Sequence, residues 1–481
     1  MKGLKVGLEF HQRLATEHKL FCNCSAELSE DRPIASYVRR LRPVVGELGE
    51  IDPAALEEFL KKKTFVYQAF KDHSCLVELD EAPPGPVNSQ ALDIALEIAL
   101  LLNCTIVDEI HVMRKTVIDG SNTSGFQRTI LIGKDGYVDT KHGRVEITGV
   151  YLEEEAAGIV SDKPDEKVYR LDRLGIPLVE ISTGVLQLEP QQVKEVALEI
   201  GRLLRMTGKV QRGIGSIRQD INISIPGGAR VEIKGVQEIR MLDKIIENEV
   251  KRQEKLIAEG KKVQEETRKA NEDGTTDYLR VLPGSDRMYP ETDIPSIVIE
   301  SERLAKIQAM LPEKPDIVLK RLKEKYHLSE QLADKLVISE NRELFQEICD
   351  IIKIDPTIVA ITLEETLVNL KRRGIGPLPK KHLLEVFRAL ESKKMAKEAI
   401  PIVLEEWAKE PHESLAAILR KAKLEAVSEK DIEKEVKELV EANKGLDKQR
   451  AFNLIMGKVM EKHRGKISGE TIAKIVRKEL G

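Results

Sequence analysis

The chain has few cysteines, few aromatic residues and no long hydrophobic run. Five cysteines in 481 residues exclude a disulfide-stapled scaffold and are typical of a reducing compartment. No stretch approaches the roughly 20 consecutive apolar residues that span a bilayer. The apolar start of the chain is also far too short for a signal peptide. The sequence therefore predicts a cytoplasmic protein that has no membrane partner.

An excess of charge of one sign is also absent. The 77 Lys and Arg nearly balance the 81 Asp and Glu, which leaves a formal net charge of −4. This balance argues against a globally basic nucleic-acid binder, although it allows a local basic patch. Hydrophobic residues make up 41% of the chain, enough for a folded core, and the length suggests about three domains.

The pattern of apolar residues changes near residue 295. Before it, period-2 alternation broken by glycines predicts strands mixed with helices, and after it a spacing of three and four predicts helices alone. The predicted fold is α+β, a mixed or antiparallel sheet core over 1–295 followed by all-helical modules over 296–413 and 414–481. Strands are predicted at Lys5–Phe10, Arg128–Ile132, Arg144–Tyr151, Ser216–Ile225 and Arg230–Ile233, and helices at Ser89–Leu102, Pro190–Thr207 and Lys244–Glu259.

Glu9 and His11 lie two residues apart in the first predicted strand. Because alternate side chains of a strand share a face, the carboxylate and the imidazole point the same way. The pair is suited to a hard metal ion or to acid/base chemistry. Taken alone, the two residues are more simply interpreted as polar positions on a solvated strand face.

Glu153, Glu154 and Glu155 follow the predicted strand that ends near Leu152. Adjacent carboxylates repel one another unless solvent or a cation compensates them. Mg²⁺ is held by one or two carboxylates together with water and substrate phosphate, so the cluster could serve that ion. A solvated acidic turn is the simpler interpretation of these three residues.

Polar and apolar residues alternate in the segment from Ser216 to Ser224, so one face of the predicted strand is polar and the other is largely apolar. Arg218, Asp220 and Asn222 share the polar face, where they could orient phosphates, metal-bound water or a ribose. The alternative, that this is the wet side of an antiparallel sheet, is about as well supported.

The loop Ser121–Gln127, with Ser124 at its centre, is small, polar and contains a glycine. Backbone amides in such a turn can hold an anion. The sequence contains neither a GxxxxGK[ST] loop nor a GxGxxG fingerprint, which argues against the common nucleotide-binding folds.

Cys22, Cys24 and Cys75 resemble part of a zinc knuckle. Structural zinc requires four ligands, usually from two pairs, and here the fourth would be absent or would be Glu78 or His73. Reduced thiols without a metal are the default interpretation.

The stretch Gly457–Gly481 holds seven Lys and Arg against three Glu. A basic cluster on a helical module can neutralise phosphates of a folded RNA, although a charged solvated face is the ordinary explanation. The residues predicted to contact RNA are Lys458, Lys462, Arg464 and Lys466.

Several segments, taken in order, resemble one family. They are GLEFHQRL, FCNCS, TSGFQRTILIG, LEEEA, DRLGIPLVEIS, GIGSIRQDINIS, VEIKGVQEIRML and QEETR. Their order and spacing resemble the GatB/GatE family of tRNA-dependent amidotransferase subunits, from residue 7 to the end of the chain. Phe10 and Gln12, the TSGFQRT loop and Met288–Asp293 are most similar to the archaeal GatE branch.

The resemblance implies a function. Members of the family use ATP and Mg²⁺ to phosphorylate the γ-carboxyl of glutamate misacylated onto tRNA(Gln), and ammonia from a partner then displaces the phosphate. In the GatE branch the partner is the asparaginase-like GatD, so a hetero-oligomer is expected. The resemblance assigns the cation to Glu9, His11 and Glu154 with Glu153 beside them, and places Lys115 near the reaction centre; Arg218, Asp220, Asn222 and Lys234 are the inferred lining for ATP or the acyl phosphate. It also makes 414–481 a tRNA-binding tail.

One departure from the family pattern affects tRNA discrimination. GatE proteins usually have an inserted domain just before the segment matching Asp273–Asp277, and here Gln264–Arg268 runs almost directly into that segment, so the insertion near 269–273 is absent. Three alternatives remain open. They are a GatB-type subunit with an amidase partner that also accepts Asp-tRNA(Asn), a non-catalytic tRNA-binding protein, and an unrelated metal-dependent hydrolase, which would leave the helical half unexplained.

Overall fold

A computed structural model describes residues 3–45, 49–284, 288–425 and 427–480. The chain divides into two compact units, Met1–Pro312 and Glu313–Gly481. Within the described residues, all paired strands belong to the first unit and the second unit is helical. This arrangement confirms the predicted α+β fold. The domain limits at residues 295 and 413 stay predictions. No helix in the described part of the chain is long and apolar enough to cross a membrane.

The helices and strands are numbered in chain order. The strands are β1 Lys5–Arg13, β2 Ala35–Arg39, β3 Thr64–Ala69, β4 Thr105–Ile106, β5 Glu109–Ile110, β6 Val112–Thr116, β7 Phe126–Thr140, β8 Gly143–Glu154, β9 Gly158–Asp162, β10 Glu166–Arg170, β11 Pro177–Thr183, β12 Ile217–Ser224, β13 Val231–Val236, β14 Glu266–Ala270, β15 Thr276–Val281, β16 Met288–Pro290 and β17 Ile297–Val298. The helices are α1 Pro53–Leu60, α2 Ser89–Leu101, α3 Pro190–Met206, α4 Leu242–Ala258, α5 Ser301–Ala309, α6 Pro315–Tyr326, α7 Glu330–Val337, α8 Arg342–Ile351, α9 Pro356–Ile361, α10 Leu367–Arg372, α11 Lys380–Glu391, α12 Ile400–Lys409, α13 Leu415–Lys421, α14 Glu429–Ala442, α15 Lys448–His463 and α16 Gly469–Leu480.

One large sheet organises the first unit. Its strand order is β15-β14-β13-β12-β1-β11-β8-β7-β6-β16, with β4 beside β7. The strands β12, β1, β11, β8 and β7 are antiparallel neighbours, and β13 and β14 are parallel. Each strand therefore presents alternate residues to opposite faces, and one face is apolar.

The apolar face of the large sheet packs against three helices. Val6, Leu8 and Phe10 of β1 are buried in a core cluster that also contains residues of α2, α3 and α4. Burial of apolar side chains at about 25 cal/mol per Å² is the main force that holds the helices on this face. The opposite face is free of helices from this cluster and holds the polar residues of the same strands.

A smaller sheet, in the order β2-β3-β10-β9, lies in the same unit. Tyr67 of β3 and Tyr169 of β10 stack with their ring centroids 5.9 Å apart. Their hydroxyls donate hydrogen bonds to the backbone oxygens of Gly120 and Asp119. These bonds fix the loop that follows β6 against the small sheet.

The helix predictions near the sheet are confirmed to within two residues. Gly260, just beyond α4, has a φ of +69°, which is the left-handed conformation that glycine adopts at a helix end. In the second unit, Ser428 accepts a hydrogen bond from the backbone N–H of Asp431 and so caps α14. Helices α14, α15 and α16 bury a cluster of their own.

Candidate functional site

The polar face of the large sheet lines a cavity of about 550 Å³. In the strand register, Glu9 of β1 lies opposite Asp220 of β12, and His11 lies between Arg218 of β12 and Glu180 of β11. Cross-strand partners share a face, so these side chains all point away from the apolar core. Lys167 and Tyr169 of the small sheet also line the cavity.

One group of candidate metal ligands consists of His11, Glu153 and Glu180. Each of them offers a ligand atom within 4.8 Å of those of the other two. The imidazole Nε2 of His11 lies 3.3 Å from Oε2 of Glu180. Lys115 Nζ lies 2.6 Å from Glu153 Oε1 and 3.6 Å from Glu180 Oε2. Thr129 donates a further hydrogen bond to Glu153.

Electrostatics favours the ionised carboxylate of Glu180 and, without a metal, the protonated imidazole of His11, whose proton a bound cation would displace. Burial favours neutral Glu180, but Lys115 and His11 hold the pKa of that carboxyl well below its usual range. Burial also opposes protonation of His11, yet the hydrogen bond with Glu180 and the charges of Asp220 and Glu180 together outweigh it and raise the pKa of the imidazole. Nδ1 of His11 is buried and has no hydrogen-bond partner among the described residues.

A second group lies beside the first and consists of Glu9, Asp220 and Glu232, again within 4.8 Å of one another. Lys234 Nζ is 3.0 Å from Asp220 and 2.8 Å from Glu232, and Asn222 donates to Glu9. Burial opposes ionisation of Asp220, but Lys234 lowers the pKa of that carboxyl to about 2. Burial and the charge of Glu180 raise the pKa of Glu9.

The two groups fit a hard divalent cation. Carboxylate oxygens are the ligands that Mg²⁺ prefers, and the two groups contain five buried or half-buried carboxylates, from β1, β8, β11, β12 and β13. Burial and the charges of the neighbouring carboxylates raise the pKa of Glu9, and Lys234 offsets them only in part. The buried, unpartnered Nδ1 of His11 marks a second uncompensated polar atom. A cation would satisfy this demand.

The acidic turn expected at residues 153–155 is not found. Strand β8 runs through to Glu154, and Glu153, Glu154 and Glu155 are only 1%, 6% and 0% exposed. Successive side chains of a strand point to opposite faces of the sheet, so the three glutamates have different partners. Glu153 bonds to Lys115, Glu154 to Arg128, and Glu155 to Arg173 and Arg218.

The predicted cation set of Glu9, His11 and Glu154 is not brought together. The carboxylate of Glu154 accepts hydrogen bonds from the backbone N–H and the guanidinium of Arg128, on the other face of the sheet from Glu153. Arg128 also binds Glu291. The prediction took Glu154 as the ligand and placed Glu153 beside it, whereas in the structure it is Glu153 that lies within ligand distance of His11 and Glu180.

Ser124 is not at the cavity either. Its hydroxyl donates to the backbone oxygen of Phe126, and its side chain lies in a separate small cavity with Glu78 and Arg128. Ser121 and Asn122 of the same loop do line the large cavity. The other residues predicted for nucleotide binding line it as well, namely Arg218, Asp220, Asn222 and Lys234, and so does Lys115.

Two cavity carboxylates were missed in the sequence. Glu180 is a lone acid in the otherwise apolar stretch PLVEI, and Glu232 alternates with Lys234 in VEIKGV. A single carboxylate inside a strand of buried apolar residues is costly unless a partner compensates it. The isolated acid in an apolar strand therefore indicates that Glu180 has a functional or structural partner. The sequence alone does not show which side chains balance its charge.

A cluster of three thiols and one carboxylate lies elsewhere in the first unit. Cys22, Cys24, Cys75 and Glu78 place their ligand atoms within 4.8 Å of one another, so they could hold a metal ion. Cys22 Sγ lies 2.8 Å from Glu78 Oε1. Hydrogen bonds with Cys22 and Cys24 lower the pKa of Cys75, which favours the thiolate that a metal requires. His73, the other residue considered as fourth ligand, bonds instead to the backbone oxygen of Glu27.

The predicted RNA-contacting residues surround the end of α15. Lys458, Lys462 and Arg464 are exposed, and Lys466 is half-buried. Lys458 and Lys462 are one helical turn apart and therefore share a face. Lys462 is also paired with Glu435, at 3.0 Å, so part of its charge is already compensated.

Comparison with known proteins defines the class. Residues 4–305 match the family model described as the GatB/GatE catalytic domain, and residues 343–480 match the model described as the GatB domain. The chain belongs to the GatB/GatE family of amidotransferase subunits, as its motifs predicted.

Curated relatives come from archaea and are named as the E-type subunit of glutamyl-tRNA(Gln) amidotransferase. The proteins of Methanocaldococcus jannaschii and Thermococcus gammatolerans are 40% and 38% identical to this chain, and one from Methanococcus maripaludis strain C7 is 37% identical. Each comparison covers 99% of this chain and 98% of the relative. The first extends over 619 residues, more than the 481 of this chain, so that relative has residues with no counterpart here.

Proposed function

We propose that this chain is a GatE-type subunit that uses ATP to phosphorylate the γ-carboxyl of Glu-tRNA(Gln) and amidates it with ammonia to give Gln-tRNA(Gln). The observation on which this rests is the meeting of two acidic groups, each paired with a lysine, on the open face of the sheet that the family model covers. The names of the archaeal relatives supply the substrate.

Phosphoryl transfer requires positioning and charge compensation more than covalent chemistry. Divalent cations held by the group of His11, Glu153 and Glu180 and by the group of Glu9, Asp220 and Glu232 would neutralise charge on the phosphates of the nucleotide. Lys115 favours the ionised form of Glu180, and Lys234 that of Asp220 and Glu232. Both lysines line the cavity, from which they could approach the transferred phosphoryl oxygens. Arg218, Asp220 and Asn222 line the same cavity and orient the nucleotide. Lys167 and Tyr169 of the small sheet line the same cavity, and exclusion of water there would limit hydrolysis of the acyl phosphate.

The proposal is tested by conversion of Glu-tRNA(Gln) to Gln-tRNA(Gln). With ammonium chloride as the nitrogen source, the purified chain should form Gln-tRNA(Gln) only when both ATP and Mg²⁺ are present. Tight tRNA binding without any ATP-dependent conversion would instead support a non-catalytic tRNA-binding protein.

The ammonia donor in this proposal is an asparaginase-like GatD partner. Neutral NH₃ has to reach the acyl phosphate without exposure to bulk water, which would protonate it. The supporting observation is the full-length similarity to archaeal relatives that are named as E-type subunits. Asparagine should therefore replace ammonium chloride only when a GatD-type protein is added. Replacement by glutamine with an amidase-type partner would favour a GatB-type complex.

We assign zinc to the cluster of Cys22, Cys24, Cys75 and Glu78, because three thiolates and one carboxylate satisfy its tetrahedral preference. The purified chain should contain about one zinc per molecule, and Cys22→Ser should lower the zinc content and the melting temperature together. Cys349→Ser, which changes a cysteine of the second unit, is the matched control. Equal zinc content in the wild-type protein and both variants would contradict the assignment.

The same proposal makes the end of α15 a tRNA-binding surface. Replacing Lys458 and Lys462 by Gln should weaken tRNA binding at low salt and reduce the slope of log affinity against log salt by about 1 to 2. Lys444→Gln removes an exposed lysine that pairs with Glu441 and serves as control. Filter binding over a salt series makes the measurement, and an unchanged slope in the double variant would count against this surface.

A further inference from the structure

Three arginines converge on a single carboxylate at the cavity. Arg173 Nη2 lies 3.0 Å from Glu155 Oε1, and Arg218 Nη1 lies 2.9 Å from Glu155 Oε2. Arg13 interacts electrostatically with the same carboxylate and with both other guanidinium groups. Glu155 is fully buried. Bulk water therefore cannot take its place as the hydrogen-bond partner of the arginines.

Two guanidinium groups of this cluster are incompletely hydrogen-bonded. Arg13 is only 6% exposed, and its Nε is buried without a hydrogen-bond partner among the residues that the structure describes. Nε of Arg173 is likewise buried without a hydrogen-bond partner among the described residues. A buried guanidinium that is incompletely hydrogen-bonded is costly, and Arg13 also lies close enough to Arg173 and Arg218 to be repelled by them. An anionic ligand would remove that cost.

The position of the cluster indicates which anion would fit. Arg173 and Arg218 line the large cavity, and Arg218 lies directly opposite His11 in the register of β1 and β12. The cluster is therefore a neighbour of the candidate cation group. Arg218 also faces the carboxylates of Asp220 and Glu153, so an anion at this place would lie between the guanidinium groups and the cation, as the terminal phosphate of a nucleotide does in a phosphoryl-transfer site. Arginine binds phosphate in a bidentate manner.

We propose that Arg173 and Arg218 form the subsite for the terminal phosphate of the nucleotide, and that Arg13 is a positioning residue that acts through Glu155. The inference rests on the proposed function, because it assumes that the cavity binds ATP. Glu155 binds only one terminal nitrogen of each of Arg173 and Arg218, which leaves their other N–H groups for the ligand, and the nearby charge of Arg13 fixes how the three groups are arranged. The subsite should discriminate ATP from AMP, which has no terminal phosphate in that place.

The test compares the dissociation constants of Mg-ATP and AMP by equilibrium dialysis with the full chain. Arg173→Met and Arg13→Met should each weaken ATP binding roughly 10- to 100-fold and leave AMP binding unchanged. Arg13→Lys, which retains the charge, should restore part of the affinity. Arg144→Met, which removes an exposed arginine paired with Asp139, should bind both nucleotides as the wild type does. The side chain of Arg173 is partly exposed, so Arg173→Met should fold even if Arg13→Met does not. The ATP and AMP affinities of Arg173→Met then test the subsite.

The outcomes separate this inference from the function on which it rests. Wild-type protein that binds ATP, with a ratio of ATP to AMP affinity that no variant changes, would overturn the subsite alone. Wild-type protein that binds no ATP would overturn the proposed function and the subsite with it. Loss of tRNA affinity in Arg173→Met at unchanged ATP affinity would show that the phosphate belongs to the RNA backbone, and would also overturn the assignment to the nucleotide.

Discussion

Glu180→Gln is expected to lower the rate of ATP-dependent amidation of Glu-tRNA(Gln) by about 10³-fold, the loss typical of a removed charge-stabilising group. Glu180 is the carboxylate that joins His11 to Lys115, at 3.3 Å and 3.6 Å. Its amide replacement keeps the shape but removes the negative charge that holds both cations in place. Single-turnover conversion of Glu-tRNA(Gln) at saturating ATP measures the effect.

Two controls make the Glu180→Gln result specific. Glu195→Gln changes a carboxylate that pairs with Lys141 and His142 outside the cavity and should leave the rate unchanged. Glu154→Gln changes a residue that the sequence suggested as a cation ligand, and it should reduce stability more than rate, because its partner is Arg128. Equal rates in the Glu180→Gln and wild-type proteins would remove the first acidic group from the site.

Arg128→Met is expected to destabilise the first unit by about 3 to 5 kcal/mol, the range for removal of one partner from a buried ion pair. Arg128 binds Glu154 at 3.1 Å and Glu291 at 2.7 Å, and all three side chains are less than a tenth exposed. The methionine fills a similar volume but leaves Glu154 without its guanidinium. Hydrogen exchange of peptides from β7 and β8 reports the opening free energy at this position.

The effect of Arg128→Met should depend on pH in a defined direction. Burial already raises the pKa of Glu154 against the opposing charge of Arg128, and the variant removes that opposition. The folded variant therefore takes up a proton before the unfolded chain does, so its deficit in stability shrinks as the pH falls from 8 toward about 4.3. Adding Glu154→Gln should recover part of the loss at pH 8. A deficit that is independent of pH, or no deficit at all, would contradict this account of the buried pair.

The sequence predicts the elements of the fold better than the partners of its charged residues. Alternation in β1 and β12 correctly places Glu9 with His11 and Asp220 with Asn222, because period-2 patterning fixes the face of a strand. The end of β8 was predicted too early, because three consecutive glutamates are polar enough to suggest a turn. Only the pairing of β8 with β7 and β11 shows that each glutamate is buried against its own cation.

The fourth ligand of the thiol cluster illustrates the same limit. Glu78 and His73 were equal candidates from their spacing to Cys75. The turn after Phe70 directs His73 to a backbone oxygen and Glu78 to the thiols. Whether Glu78 or His73 is the fourth ligand depends on the backbone conformation between residues 70 and 78. The spacing of the ligands in the sequence does not determine that conformation.

The central claim, that the γ-carboxyl is activated by phosphorylation on the polar face of the sheet, is tested most directly by oxygen transfer. Glu-tRNA(Gln) labelled with ¹⁸O in its γ-carboxylate is converted in the presence of unlabelled ATP and ammonium chloride, and the released phosphate is analysed by mass spectrometry. Attack of a carboxylate oxygen on the terminal phosphorus leaves that oxygen on phosphorus when ammonia displaces the phosphate. The account predicts one ¹⁸O in each phosphate released per Gln-tRNA(Gln) formed, and unlabelled phosphate, or label found in AMP, would contradict it.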